Sequence, residues 1–183
     1  IIPVSKINLR KKILKLRKLR YNPQKKIKLS NILTIFKKHK IKKPNVGGYI
    51  NVNFEISSLE ILKKFEKKNI KISLPVIMDN NQMKFSQWSF NQPLKLNRFG
   101  IPEPVKCKFV LPDVLLVPLV AFDKDKYRIG YGGGYYDRYL AKVQKKKKIL
   151  TIGFAFSFQQ IIKVHRNKFD RKLDYIITEN SFI

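Results

Sequence analysis

The sequence holds a single cysteine, Cys107, in 183 residues, which excludes an intrachain disulfide and leaves no thiolate set for a metal. That usage fits an intracellular protein, with Cys107 expected to act as a small buried apolar side chain. Acidic residues are scarce as well: 12 Asp plus Glu stand against 40 Lys plus Arg, for a formal net charge of +28. No apolar run approaches the roughly 20 residues of a membrane helix, and Lys and Arg interrupt the N-terminal segment before a signal core forms. A cytoplasmic protein without membrane association is expected. His39 and His165 are the only histidines, and neither has an evident partner, so both read as surface residues.

What is present suffices for a core: 44% of residues are hydrophobic and 12% aromatic, which suits one domain spanning residues 1–183. The +28 charge by itself invites a nucleic-acid partner. The lysines, however, are spread from Lys6 to Lys172 among Ile and Asn residues, and a solvated Lys-rich surface is the simpler reading. Nucleic-acid binding is therefore kept as the alternative. The densest run, Lys145 to Lys148, sits where a helix should end, and cations suit terminal carbonyls.

Periodicity then divides the chain. Apolar residues from Ser5 to Leu19 recur at helical spacing, giving an amphipathic helix with Ile7, Leu9, Ile13, Leu14, Leu16 and Leu19 inward. Pro23 suits the start of a second helix running to about His39. A short strand is expected from Tyr49 to Phe54, and Ser57 and Glu60 have capping-box spacing for a helix to about Lys68. Strands follow at Lys71 to Met78 and Met83 to Trp88, separated by an Asp79-Asn80-Asn81 turn. The apolar run Val114 to Phe122 reads as a buried strand that ends or bulges at Pro118. Tyr135 to Val143 reads as a helix, and Ile149 to Phe156 and Tyr175 to Thr178 as further strands, with Asp174 at a strand start. Such alternation predicts an α/β protein, a three-layer α/β/α domain around a mostly parallel sheet.

Four of the eight glycines fall within five residues, in Arg128-Ile129-Gly130-Tyr131-Gly132-Gly133-Gly134-Tyr135-Tyr136-Asp137-Arg138. A strand, a glycine-rich turn and a helix start together offer free N–H groups and a helix dipole, the elements of a phosphate cradle. The spacing matches neither the P-loop nor the dinucleotide fingerprint, since Tyr135 takes the last glycine position of the latter. A tight structural turn therefore stays open as an alternative. Asp137 can hold a Mg²⁺ that bridges nucleotide phosphates, or can pair with a basic neighbour on the helix surface. Asp170 is the next candidate ligand.

Read with Val117-Pro118-Leu119-Val120-Ala121-Phe122-Asp123, the glycine run resembles the signature of the 5-formyltetrahydrofolate cyclo-ligase family. The resemblance extends to Lys6-Ile7-Asn8-Leu9-Arg10, to Phe99-Gly100-Ile101-Pro102-Glu103-Pro104 and to Asp174-Tyr175-Ile176-Ile177-Thr178-Glu179, covering nearly the whole chain. It implies ATP- and Mg²⁺-dependent closure of 5-formyltetrahydrofolate, with or without a polyglutamate tail, to 5,10-methenyltetrahydrofolate, by a monomer. It implies that Lys6, Arg10, Arg128 and residues Ile129, Gly130, Tyr131, Gly132, Gly133, Gly134, Tyr135 and Tyr136 hold ATP, with Arg128 and Tyr136 catalytic. Asp137 and Asp170 would bind the metal, and Ile50, Glu55, Phe99 and Tyr135 the folate. Phe99 stands where some members carry Trp, and Phe169 where the family's usual His precedes its second metal-binding Asp. Another ATP or sugar-phosphate enzyme on a related α/β scaffold is the remaining enzymatic alternative.

Overall fold

The structure is a computed structural model that describes residues 6–183. In chain order its elements are α1 (Lys6–Arg20), α2 (Leu29–Lys38), β1 (Asn45–Gly47), α3 (Leu59–Lys67), β2 (Lys71–Ile77), β3 (Met83–Trp88), β4 (Leu94–Leu96), β5 (Pro102–Pro104), β6 (Phe109–Val110), β7 (Val114–Pro118), β8 (Ala121–Phe122), β9 (Arg128–Ile129), α4 (Tyr135–Val143), β10 (Leu150–Phe154) and β11 (Tyr175–Ile177). Seven strands form one sheet in the order β11-β10-β7-β1-β2-β3-β6. The pairings from β11 to β2 are parallel, whereas β3 and β6 add antiparallel at one edge. The mostly parallel sheet expected from the sequence is present.

Alternation along β7 shows why the sheet needs cover on both faces. Val114 and Leu116 pack with α2 and α3, through Ile32, Ile35, Phe36, Ile61, Leu62 and Phe65. Leu115 and Val117 point the other way, to Tyr139, Leu140 and Val143 of α4. All four β7 side chains are fully buried, as a run covered on both sides requires. A smaller cluster packs α1, through Ile13, against Val120 and Ala121 at the end of the sheet and Ile129 of the β8–β9 ribbon.

Several expectations are corrected. The Ser5 end of the first helix lies outside the described residues. Of its apolar positions only Ile13 is buried, while Ile7 and Leu19 are 59% and 74% exposed. The second helix begins at Leu29 because Asn22 organises a turn instead, its carbonyl and side chain accepting from Lys25 N and Gln24 N. The strand expected from Tyr49 to Phe54 is a loop, the strand being Asn45–Gly47 just before it. The capping box does not close: Ser57 Oγ accepts from Leu59 N at 3.2 Å, and Glu60 pairs with Lys26 at 2.8 Å. Cys107 is exposed rather than buried. His39 lies on the surface as expected but has a partner, the Tyr175 hydroxyl at 2.9 Å. Pro118 does end its strand, and the lysine run follows α4.

The chain leaves β1 through α3 on one face and leaves the neighbouring β7 through α4 on the other. The ends of these two parallel strands thus form a topological switch point, where open α/β sheets leave a crevice.

Candidate active site

The β8–β9 ribbon delivers the glycine loop to that crevice. Buried Asp123 sets its turn, accepting from Asp125 N, Tyr127 N and Val164 N at 3.0, 3.1 and 2.9 Å. Gly132 and Gly134 have φ of +103° and +66°, left-handed geometry that a side chain would strain. Gly134 is the N-cap of α4, so the loop runs directly into a helix start with Asp137 in its first turn, where an acid complements the dipole.

Basic side chains converge on this loop. Lys6 and Arg10 share one face of α1. Arg10 Nε donates to the Gly130 carbonyl at 2.7 Å, and its guanidinium lies 3.5 Å from where a Cβ on Gly132 would stand. Lys6 Nζ meets Asp170 Oδ2 at 2.6 Å. Buried Arg128 donates to Asp137 Oδ1 at 3.0 Å and to the Arg171 carbonyl at 3.1 Å. Asp137 Oδ1 also accepts from Arg171 N at 3.3 Å, and Asp170 Oδ2 from Asn167 N at 2.8 Å. Asp137 is therefore the partner of a basic neighbour, one of the two roles its sequence left open. Ile129 is core, anchoring the loop's start.

Two carboxylates, each held by a cation, make a poor site for a free ion. No cluster of three or more His, Cys, Asp or Glu that could hold a metal occurs among the described residues. The pair does suit Mg²⁺ arriving with phosphates, because that ion needs only one or two carboxylates and completes its shell with water and phosphate oxygens.

Glu55 occupies the β1 side of the crevice. Glu55 N donates to the Val52 carbonyl at 3.0 Å across Asn53 and Phe54, whose φ values are +47° and +62°. Two left-handed residues without glycine store strain, and this turn folds the carboxyl back so that its Oε2 accepts from Val52 N at 2.8 Å. Oε1 is buried without a well-formed hydrogen bond. Burial pushes the Glu55 carboxyl up to about 6, against lowering effects from Val52 N, Arg17 and Tyr131. Burial, with the nearby Glu55 charge, also raises the Tyr131 and Tyr136 hydroxyls. Glu55 lines a narrow cavity of about 40 Å³ with Tyr21, Lys25, Ile56 and Phe156, well below the usual ligand pocket. Ile50, half-buried, packs on the main core.

A third group stands at the mouth. Phe99 is 53% exposed and meets the Tyr135 ring edge-on at 5.9 Å. Asn81, in the β2–β3 turn, accepts from the Tyr135 hydroxyl at 3.2 Å and from Arg98 at 3.0 Å through its side chain, and from Arg138 at 2.8 Å through its carbonyl. Sequence reasoning missed Asn81 and Arg98, which carry no motif, and Arg17, which a helical projection groups with Lys6 and Arg10.

The family model for the 5-formyltetrahydrofolate cyclo-ligase family matches residues 3–179. The chain belongs to that family. Among its curated members, the 5-formyltetrahydrofolate cyclo-ligase of Mycoplasma genitalium is 37% identical over 134 residues, 73% of this chain and 71% of the relative. That of Haemophilus influenzae is 36% identical over 124 residues, an alignment covering 64% of this chain and 66% of the relative, just under two thirds of its length. The fold agrees along almost the full chain with a 5,10-methenyltetrahydrofolate synthetase from Aquifex aeolicus, at a TM-score of 0.74 and 29% identity, covering 98% of this chain and 92% of that one.

Proposed function

We propose that this chain is an ATP-dependent 5-formyltetrahydrofolate cyclo-ligase that forms 5,10-methenyltetrahydrofolate, ADP and phosphate. The observation that carries the reading is the meeting, at the ends of β1 and β7, of a glycine loop with Lys6, Arg10 and Arg128 on one side and the Glu55 carboxyl on the other.

A formamide oxygen is a poor leaving group. In the proposed reaction it takes the γ-phosphoryl of ATP, releasing ADP; N10 then attacks the formyl carbon and gives up its proton, and phosphate leaves with the former formyl oxygen. The protein supplies no nucleophile. Its work is positioning and charge stabilisation, as in other phosphoryl transfers. Backbone N–H groups of residues 130–136, with Lys6, Arg10 and Arg128, offer donors and positive charge to a triphosphate. Asp137 and Asp170 would hold Mg²⁺, which when bound neutralises charge on the phosphates. Asp137 and Asp170 are now paired with Arg128 and Lys6, and carboxylates engaged by a metal would leave both cations available to phosphate. Tyr136, on the first turn of α4, lies near both Glu55 and Arg128 and borders the place where phosphoryl acceptor and donor would meet.

On the folate side, ionised Glu55 can accept two hydrogen bonds from an aminopyrimidine edge, which is the use that suits a buried carboxyl with one oxygen lacking a well-formed hydrogen bond among the described residues. Ile50 backs that site, and Phe99 and Tyr135 offer ring faces to the rest of the molecule. The narrow Glu55 cavity has to widen for a pterin, and of its lining Tyr21 is exposed at the rim whereas Phe156 is held in the core. A monomeric, cytoplasmic, single-domain enzyme completes the reading. It is tested by incubating the chain with 5-formyltetrahydrofolate, ATP and Mg²⁺: methenyl product appears only with all three present, and failure to form it removes the proposal.

A further inference from the structure

Arg17 is fully buried, yet among the described residues no carboxylate forms an ion pair with it. At about 100° per residue, positions 6, 10 and 17 fall within about 40° of one another on α1, so Arg17 lies below Lys6 and Arg10 on the face turned to the glycine loop. Its donors go to three separate segments. Nε donates to the Asn53 carbonyl at 2.9 Å and Nη1 to the Leu119 carbonyl at 3.1 Å. Nη2 donates to the hydroxyl of Tyr131. Asn53 follows β1 and Leu119 follows β7, so the guanidinium spans the switch point itself, and Tyr131 belongs to the glycine loop.

Burying a cation on carbonyls is costly, and its hydrogen bonds must offset the lost hydration. Arg17 meets that cost by pinning the strained Asn53–Phe54 turn that aims Glu55. The Tyr131 hydroxyl accepts from Arg17, which leaves its own proton free for another acceptor, and the Glu55 carboxyl is the acidic group facing it. The titratable groups around Glu55 are Arg17 from α1, Tyr131 from the glycine loop, Tyr49 from the end of β1 and Tyr136 from α4. Arg17 is the positive charge among them.

We propose that Arg17 and the Tyr131 hydroxyl form a relay between the glycine loop and Glu55, through which nucleotide and folate bind cooperatively. The inference rests on the cyclo-ligase reading, since it needs a ligand on each side. A triphosphate that orders residues 130–134 fixes Tyr131, and with it the Glu55 carboxyl. A folate on Glu55 acts on the loop through the same two side chains, as reciprocity requires. Both are positioning residues, acting through groups that touch the ligands.

Calorimetry tests the relay with a non-hydrolysable ATP analogue and 5-formyltetrahydrofolate, each titrated with and without the other. In the wild type, each ligand is expected to tighten the other's binding by about 5-fold or more. Arg17→Met risks misfolding, so Tyr131→Phe carries the test, because it removes only the hydroxyl. It is expected to bring the coupling factor to within about 2-fold of unity, whatever its effect on each separate affinity. The acid limb of folate binding should also move to higher pH in Tyr131→Phe, since the hydroxyl favours the charged carboxyl, and a merely structural role would not shift it. Arg17→Lys, keeping the charge but not the three-way fork, should lose coupling as well. Full coupling in folded Tyr131→Phe, or none in the wild type, overturns the relay. Turnover is measured separately: turnover without coupling removes the relay alone, whereas absence of turnover removes the cyclo-ligase reading.

Discussion

At the residue scale, Glu55 has two opposed pH dependences. Its carboxyl is raised by burial from 4.5 to about 6, so the folded state holds the proton more tightly than the unfolded chain. The burial cost, about 2 kcal/mol for such a shift, is present above the folded value and is relieved as pH falls through 6 toward 4.5. Folate binding should run the other way, weakening as pH falls below about 6, because only the carboxylate accepts two hydrogen bonds. Glu55→Gln is expected to weaken folate binding at pH 7 and flatten that acid limb; an unchanged limb in titrations of the variant would assign it to another group. Asp137 illustrates a choice of variant. Removing it strands buried Arg128, so Asp137→Ala should lower stability as well as activity. Asp137→Asn keeps an acceptor for Arg128, and there kcat should fall about 100-fold or more with only a small change in Tm. Tyr139 has a buried hydroxyl without a hydrogen-bond partner among the described residues, so Tyr139→Phe should be neutral or stabilising by about 1 kcal/mol in denaturant unfolding.

At the element scale, what the sequence shows best are elements whose pattern and packing coincide. The run 114–122, the Pro118 break, α4 and the strands after it are legible because both faces of β7 and β10 are covered, leaving β7 without a polar side chain and β10 with Thr151 as its one polar position. The glycine loop is legible through its composition and its flanking charges. The segment 49–56 is not: Tyr49, Ile50, Val52 and Phe54 read as an extended strand, but Asn53 and Phe54 turn left-handed and Glu55 folds inward, a geometry held by Arg17 from 36 residues away. In α1 the apolar periodicity indicates a helix but misleads about its inner face, where Arg17 is more buried than Ile13. Gly48, between β1 and the Glu55 turn, has no motif either. A Cβ there would stand 2.4 Å from Leu62 Cδ1, with the other Leu62 branch atoms at 2.9 Å. Gly48→Ala should therefore push α3 off the sheet and cost about 1–3 kcal/mol, read as a lowered denaturant midpoint. An unchanged midpoint would mean that Leu62 has room to turn.

At the scale of the whole molecule, the +28 charge surrounds a crevice in which Lys6 and Arg128 are paired with Asp170 and Asp137 while Arg10 donates to the Gly130 carbonyl. No helix among the described residues is long and apolar enough to cross a membrane. Both proposed substrates are anions, so the field of the whole chain should favour their encounter with the crevice. Raising NaCl from about 0.05 to 0.5 M should raise KM for ATP and folate through screening, with kcat little changed. The fold class and the family are legible from the sequence because they rest on long patterns spread over many residues; the link between the two halves of the crevice is not, because it consists of single side chains meeting across the switch point. The most direct test of the account is the absorbance of the methenyl product in a reaction containing the purified chain, 5-formyltetrahydrofolate, ATP and Mg²⁺. The predicted result is product formed in proportion to ADP released, abolished by omitting ATP and strongly reduced in Asp137→Asn. ATP hydrolysis without methenyl product, or no reaction with all components present, would contradict it.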